Sequence, residues 1–320
     1  MFEALEAGMG LDFILWLQQN RTGWMETLSQ ILDQLGYDLG YVALFGFIFW
    51  AVSKRHGVRL IFALVTIALV TFVLKDLLAR PRPFEAYPDL ITPVFDANGF
   101  GLPSGHTTLA VMIWGYLGIW LRKGWVWALV ILYIALQSWG RMVSGVHFPH
   151  DVALGLLVGA VTLALYYPLA TQWERLWEAQ KYSAQMAIVI AVPVGIALVV
   201  MVAPLQAEQA EAYLTVLGLA LGAGIGVVIE PRTLNFTPHP NWVQRFVHFV
   251  IGAVLVVAIL FGLSPLFDNI AETGTIAYLL RVVRYSIAGY VAIMIVPYLG
   301  VKLKLMHSER PTTTETVPVT

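Results

Sequence analysis

Apolar runs separated by short polar breaks fill most of this 320-residue chain. A helix needs about 20 apolar residues to cross hydrocarbon. Runs of that order occupy residues 39–53, 58–78, 106–121, 125–143, 151–170, 186–204, 212–230, 246–264 and 283–301. The pattern predicts an all-α, multispanning transmembrane helix bundle of about nine spans. Residues 11–36 read differently. Phe13, Trp16, Leu17, Trp24, Leu28, Ile31, Leu32 and Leu35 alternate there with Asp12, Gln18, Arg21, Glu26 and Asp33. That alternation predicts an interfacial amphipathic N-terminal helix, lying on the membrane rather than crossing it. The stretch TQWERLWEAQKYSAQ, residues 171–185, has the same character. The glycine-spaced run GLALGAGIGVV, residues 218–228, predicts close helix packing. It is apolar throughout and follows no strand, so it is not a nucleotide loop. The polar tail over residues 305–320 predicts disorder.

Composition agrees with the pattern. Hydrophobic residues make up 58% and charged residues 12%, and the mean hydropathy is +0.74. Soluble domains carry about 25% charged residues, so the composition is that of an integral membrane protein. The chain has no cysteine, which excludes a disulfide framework, thiol catalysis and cysteine-based metal sites. A net charge of −1 argues against a nucleic-acid partner. The opening MFEALEAGMGLDF has no basic region, so no cleaved signal peptide is expected. Asn20-Arg21-Thr22 and Asn235-Phe236-Thr237 match the glycosylation pattern. That pattern is too short to carry an argument.

Lys and Arg in the short loops set orientation. One alternating set of loops holds Lys54, Arg55, Arg59, Arg122, Lys123, Arg175, Lys181, Arg232, Arg245, Lys302, Lys304 and Arg310, which is 12 of the 19 basic residues. The other set holds Arg21, Lys75, Arg80, Arg82, Arg141, Arg281 and Arg284, the remaining 7. The first set is expected in the cytoplasm, and the second on the periplasmic, exterior or luminal face.

The second set is where charge is hardest to explain. In VTFVLKDLLARPRPFEAYP, residues 70–88, Lys75, Arg80 and Arg82 gather at the end of an apolar run, with Asp76 and Glu85 as the nearby acids. Charge near hydrocarbon is costly unless paired. These cations either anchor the helix at the headgroups or await an anion. The loop over 79–105 ends in GLPSGHTT, where Ser104 is placed to cap the next helix. A helix N-terminus offers free N–H groups and the positive end of a dipole, an arrangement that favours anions. In GRMVSGVHFPHDV, residues 140–152, Pro149 suits the first turn of a helix. Asp151 then lies within reach of His147, and a carboxylate on one ring nitrogen leaves the other free for chemistry. Each element alone has an ordinary reading as an anchor, a cap, a polar helix start or a structural hydrogen bond. Together, on one predicted face, they supply cations, a helix N-terminus and two histidines, which is what holding and transferring a phosphoryl group requires.

Lys75-x6-Arg82-Pro83, Pro103-Ser104-Gly105-His106 and Arg141-x5-His147-x3-Asp151 resemble the three signature motifs of the type 2 phosphatidic acid phosphatase (PAP2) superfamily. That family includes membrane lipid phosphatases, undecaprenyl-diphosphate phosphatases, glucose-6-phosphatase and vanadium haloperoxidases. The resemblance covers residues 10–170. One position departs from it: the third motif usually begins Ser-Arg, and here Gly140 precedes Arg141, with Ser138 and Ser144 nearby. The implied organisation is a phosphatase core over 1–170, additional spans of unassigned role over 171–304, and the tail.

The resemblance implies that His147 attacks phosphorus, Asp151 holds its other ring nitrogen, and His106 is the acid and then the base. Lys75, Arg82, Arg141, Ser104 and the Gly105 N–H would hold the phosphate oxygens. Spacing from Lys75 selects Arg82 over Arg80. Arg80 is left as a contributor to local potential or a headgroup contact. Arg281 and Arg284, three apart, are further candidate headgroup contacts or simple anchors. Neither a cofactor nor a metal is implied. The expected substrate is a lipid phosphate or polyprenyl diphosphate on the non-cytoplasmic face of a plasma or inner membrane. Two other readings stay open. A soluble phosphate could be the substrate, as in the glucose-6-phosphatase branch, or the basic residues could serve a transporter or flippase of anionic lipids. Transport needs the cations alone and leaves His106, His147 and Asp151 unexplained.

Overall fold

The structure is a computed structural model and describes residues 6–36 and 38–309. It is built from helices: α1 (Leu11–Gln19), α2 (Gly23–Leu35), α3 (Asp38–Phe47, continued by a π-helical turn Ile48–Val52), α4 (Lys54–Leu78), the single turn α5 (Pro83–Ala86), α6 (Gly105–Leu121), α7 (Gly124–Val143), α8 (Pro149–Glu178), α9 (Tyr182–Val202), α10 (Ala207–Thr233), α11 (Trp242–Asp268), α12 (Gly274–Tyr290) and α13 (Val296–Lys302). Strands β1 (Phe236–Pro238) and β2 (Met306–Ser308) form one antiparallel pair. Among the described residues, seven helices are long and apolar enough to cross a membrane, and α2 with the helix over residues 40–52 passes only as a bent pair. Each of the nine expected runs coincides with a helix. The 17-residue α6 sits at the short end of the spanning range, so length and composition support a lower count than nine. The chain is a helical integral membrane protein.

The chain divides into two compact units. The first contains residues 1–42, 59–179 and 204–216. Its centre is the contact between α6 and α8. Gly155 and Gly159 lie four apart on α8, and a Cβ at Gly155 would come within 2.9 Å of the Ser104 carbonyl oxygen. A Cβ at Gly159 would come within 2.7 Å of Val111 Cβ, and one at Gly115 within 2.6 Å of Leu163 Cδ2. Small residues at this spacing let two backbones approach closely, which is how helices associate where lipid removes the hydrophobic drive. One end of the unit is tied by Arg59, whose guanidinium donates to Glu174 at 2.6 Å and to Thr171 at 3.0 Å. At the other end Ile14, Leu17, Ile91, Val143 and Phe148 form a buried cluster.

The second unit contains residues 43–58, 180–203 and 217–320. The glycine-spaced run of α10 packs against α12 as its pattern predicts. Ser286 Oγ donates to the Gly218 carbonyl at 3.0 Å, and a Cβ on Gly222 would overlap the Ser286 backbone. Arg284 of α12 donates to the Ser264 hydroxyl and stacks 5.1 Å from the Tyr285 ring centre.

Three expectations are corrected. Residues 11–36 form two helices, not one, because the chain turns at Asn20 between α1 and α2. Their inner faces are buried in protein at Ile14, Leu17, Ser29, Leu32 and Asp33. Residues 171–185 are not a separate surface helix: α8 runs through Glu178, and α9 starts at Tyr182. The tail begins with order, since Met306–Ser308 pairs with Phe236–Pro238. Residues 310–320 of that tail lie outside the described residues.

Candidate active site

The site lies in the first unit, where the C-terminal end of α4, the N-termini of α6 and α8 and the C-terminal end of α7 meet. Pro149 occupies the first turn of α8, where its missing N–H costs nothing. Asp151, two residues on, turns its Oδ2 back onto the Phe148 N–H at 2.8 Å and His147 Nδ1 at 3.3 Å. Its other oxygen lies 3.4 Å from His150 Nε2. His147 is 2% exposed, and its Nε2 faces Arg82 Nη1 at 3.2 Å. Burial, then the nearby Arg82, Lys75 and Arg141 charges, push the His147 imidazole well below its ordinary value. With the Nδ1 proton on Asp151, Nε2 carries the lone pair and faces the cations.

Arg82 is fixed by backbone acceptors on both sides. It donates to the carbonyls of Asn98 (2.6 Å), Gly99 (2.8 Å) and Val146 (3.1 Å). Its own N–H is held by Glu85 at 2.8 Å. Lys75, in the last turn of the apolar helix α4, donates to the Phe100 carbonyl. The two cations thus pin the loop over residues 98–100 above the histidine. Ser104 sits at the N-cap of α6, but its hydroxyl pairs with Thr107 Oγ1 at 3.1 Å and caps no backbone N–H. The side-chain cap expected of Ser104 is therefore absent, and its hydroxyl is engaged by Thr107 instead. Gly105 opens α6, with Lys75 Cε 4.0 Å from where its Cβ would be.

His106 and Arg141 complete the constellation. Arg141 is 2% exposed, places Nη1 3.4 Å from His106 Nδ1 and stacks 5.0 Å from the Phe95 ring centre. Its Nη2 forms a 2.7 Å ion pair with Asp33. Every residue named from the three motifs therefore converges on one region of the first unit. Arg80, the arginine rejected on spacing, turns elsewhere and forms a two-pronged ion pair with the buried Glu6. Arg281 and Arg284 belong to the second unit.

Two acids, Asp33 at this site and Glu6 beyond it next to His150, escaped the sequence reading. Asp33 was counted among the polar positions of a surface helix, and Glu6 lay before the first periodic segment. A signal for Asp33 existed in Gly36 and Gly140. A Cβ at Gly36 would come within 2.4 Å of His106 Cδ2, and one at Gly140 within 3.3 Å of Leu32 Cδ1. Glycine at the motif position where serine is usual thus leaves room for α2 to dock on α7.

Comparison with known proteins gives two family matches and several relatives. Residues 56–175 match the model of the PAP2 superfamily, and residues 214–309 match the PAP2 superfamily phosphatase transmembrane extension. The first match contains all ten residues named in the three motifs. The second covers most of the later helices, which are therefore a recurring extension rather than a foreign addition. Sphingosine-1-phosphate phosphatase 1 of Rattus norvegicus is 24% identical over 241 residues, covering 70% of this chain and 56% of the relative. Undecaprenyl-diphosphatase of Sulfolobus acidocaldarius is 23% identical, covering 48% of this chain and 74% of the relative. The chain spans about half the length of the first curated relatives it matches. The solved PAP2-type phosphatidylglycerolphosphate phosphatase of Bacillus subtilis aligns with a TM-score of 0.45 and 21% identity, over 53% of this chain and 92% of that one. With three motifs in order, their side chains gathered at one site and both family models matched, the chain belongs to the PAP2 superfamily.

Proposed function

We propose that this protein is an integral membrane phosphatase that hydrolyses a lipid phosphate or polyprenyl diphosphate on the non-cytoplasmic face through a phosphohistidine intermediate. The observation that carries the reading is His147, buried, with Nδ1 on Asp151 and Nε2 facing Arg82. The similarity to a sphingosine-1-phosphate phosphatase and an undecaprenyl-diphosphatase supports the substrate class. In the first step the Nε2 lone pair of His147 forms a bond to phosphorus while the bond from phosphorus to the leaving oxygen breaks. His106 delivers a proton to that oxygen. Asp151 stabilises the positive charge that develops on the His147 ring. In the second step His106 takes a proton from water, the oxygen attacks phosphorus, and the P–N bond breaks to release inorganic phosphate. Lys75, Arg82, Arg141, Ser104 and the N-terminus of α6 hold the phosphate oxygens. One such donor contributes about 3–4 kcal/mol to the transition state.

Orientation is supported by the charge count and by the first unit. The site gathers basic residues of the sparser set, while Arg59 and Glu174 mark the opposite end of α4 and α8. The reading is tested by phosphate release from the purified protein in detergent. The panel is phosphatidic acid, phosphatidylglycerol phosphate, undecaprenyl diphosphate, a sphingoid phosphate and glucose 6-phosphate. Turnover confined to glucose 6-phosphate would replace the lipid substrate with a soluble one. Silence on every substrate would reject the phosphatase.

A further inference from the structure

We propose that Asp33 is a positioning residue for the transferred proton: its carboxylate fixes Arg141 and orients His106, so the site works with two carboxylate–imidazole couples, Asp151–His147 and Asp33–His106. This rests on the phosphatase reading above. Asp33 lies on α2, outside residues 56–175, and none of the three motifs includes it.

The geometry is specific. Asp33 is 5% exposed. Its Oδ1 lies 2.7 Å from Arg141 Nη2 and 3.7 Å from His106 Nε2. Arg141 Nη1 lies 3.4 Å from the other ring nitrogen, Nδ1. The imidazole therefore lies between a carboxylate on one edge, near but beyond hydrogen-bond distance, and a guanidinium on the other, and the carboxylate anchors the guanidinium. A buried carboxylate is costly unless paired. Here the pairing is with two groups of the phosphate site. The packing that brings it there is equally particular: glycine stands at both closest approaches, Gly36 against the His106 ring and Gly140 against Leu32. Any side chain at Gly36 would displace the ring.

Charge gives the couple its purpose. The groups around His106 are Asp33 from α2, Arg141 from α7, Lys75 from α4, Arg82 from the segment after it, and His147. Three of these are cations, which oppose a proton on the imidazole. An acid that must deliver a proton to a leaving oxygen has to hold one in these surroundings. Asp33 offsets the cations at the ring itself, as second-layer carboxylates do for ligating or catalytic histidines.

The test compares Asp33→Asn with the wild type on an alkyl phosphate and on p-nitrophenyl phosphate, whose leaving group needs little protonation. The expected result is a fall in kcat of about 10- to 100-fold on the alkyl phosphate. The fall on p-nitrophenyl phosphate should be at most about threefold, and the alkaline limb of the kcat profile should move to lower pH. Asp33→Glu should recover part of the alkyl-phosphate rate. If Asp33→Asn does not fold, Asp33→Glu carries the test alone, with the same split between substrates at smaller size. Equal losses on both substrates with an unmoved alkaline limb would overturn the proposal and leave Asp33 a packing residue. Vanadate binding at least about tenfold tighter with unchanged kcat would also overturn it, because Asp33 would then compete with phosphate for Arg141. A wild type that releases no phosphate rejects the phosphatase and the proposal together, whereas failure of the proposal alone leaves wild-type turnover intact.

Discussion

His147 Nδ1 and Asp151 Oδ2 lie 3.3 Å apart across the N-terminus of α8. The same oxygen accepts the Phe148 N–H, so the carboxylate is held by the backbone and holds the ring. An Asp151→Asn variant keeps an oxygen for the Phe148 N–H and the ring but loses the negative charge that stabilises the imidazolium formed when Nε2 attacks. The expected result is a folded protein with kcat reduced by about 10³-fold or more. His147→Ala should remove turnover altogether, with an unchanged elution profile in detergent. An Asp151→Asn enzyme of near wild-type rate would remove His147 from its role as nucleophile.

The acid limb of the pH profile follows from the His147 environment. Its imidazole lies well below the ordinary value of 6.5. The neutral imidazole therefore persists as pH falls through 6.5, and if His147 attacks phosphorus as proposed, the acid limb of kcat/KM is expected below that value. The sign for stability is the same: the folded state takes up this proton less readily than the unfolded chain. Folding free energy linked to His147 is thus present above pH 6.5 and declines as pH falls below it. A limb at 6.5 or above that disappears in no other single variant would contradict this assignment.

Arg80 and Arg82 separate activity from stability. Arg82 touches His147, so Arg82→Ala should cost about 10²-fold or more in kcat/KM. Arg80 pairs with Glu6, which is buried, so Arg80→Ala should lower the thermal midpoint more than it lowers turnover. Adding Glu6→Gln should recover much of that midpoint. The opposite ranking, with Arg80 the worse for catalysis, would mean that the motif register is shifted by one arginine–proline pair.

Most of the site was legible because its residues break local rules. Cations ending an apolar helix, a Pro-Ser-Gly-His helix start and a His-x3-Asp turn are each local patterns, and local patterns survive in one sequence. Asp33 was not legible for the same physical reason. An amphipathic helix can turn its polar stripe to lipid headgroups or to a polar site inside the protein, and the periodicity is identical. Only the partner helix distinguishes them, and the approach of α2 to α6 and α7 is a long-range fact written in Gly36 and Gly140. The break between α1 and α2 was hidden likewise, since Leu17 and Trp24, seven residues apart, stay in helical phase across the polar gap. The division of the 171–185 stretch between α8 and α9 was missed because charge in a long helix reads as a surface segment.

Gly36 gives that long-range fact a test. Its backbone has φ −87°, which alanine adopts without strain. The added methyl would instead sit 2.4 Å from His106 Cδ2 and must move the ring. Gly36→Ala is expected to lower kcat on an alkyl phosphate by about tenfold or more, for misplacing a catalytic group by an ångström is costly. Unchanged turnover would show that α2 does not pack against the His106 ring.

Sidedness can be read with the whole protein, because the chain contains no cysteine. Asp89 is exposed in the segment between α5 and α6, beside the motifs, and Lys123 is exposed between α6 and α7 at the other end of those helices. Twelve basic residues favour the Lys123 side for the cytoplasm. In intact cells, Asp89→Cys should react with a membrane-impermeant maleimide, and Lys123→Cys should react only after permeabilisation. Both variants should retain phosphate release, which shows that the labelled protein is the folded one. The reverse labelling pattern would turn the molecule over. The phosphate pool reached by His147 would then be cytoplasmic, and hydrolysis on the non-cytoplasmic face would be ruled out.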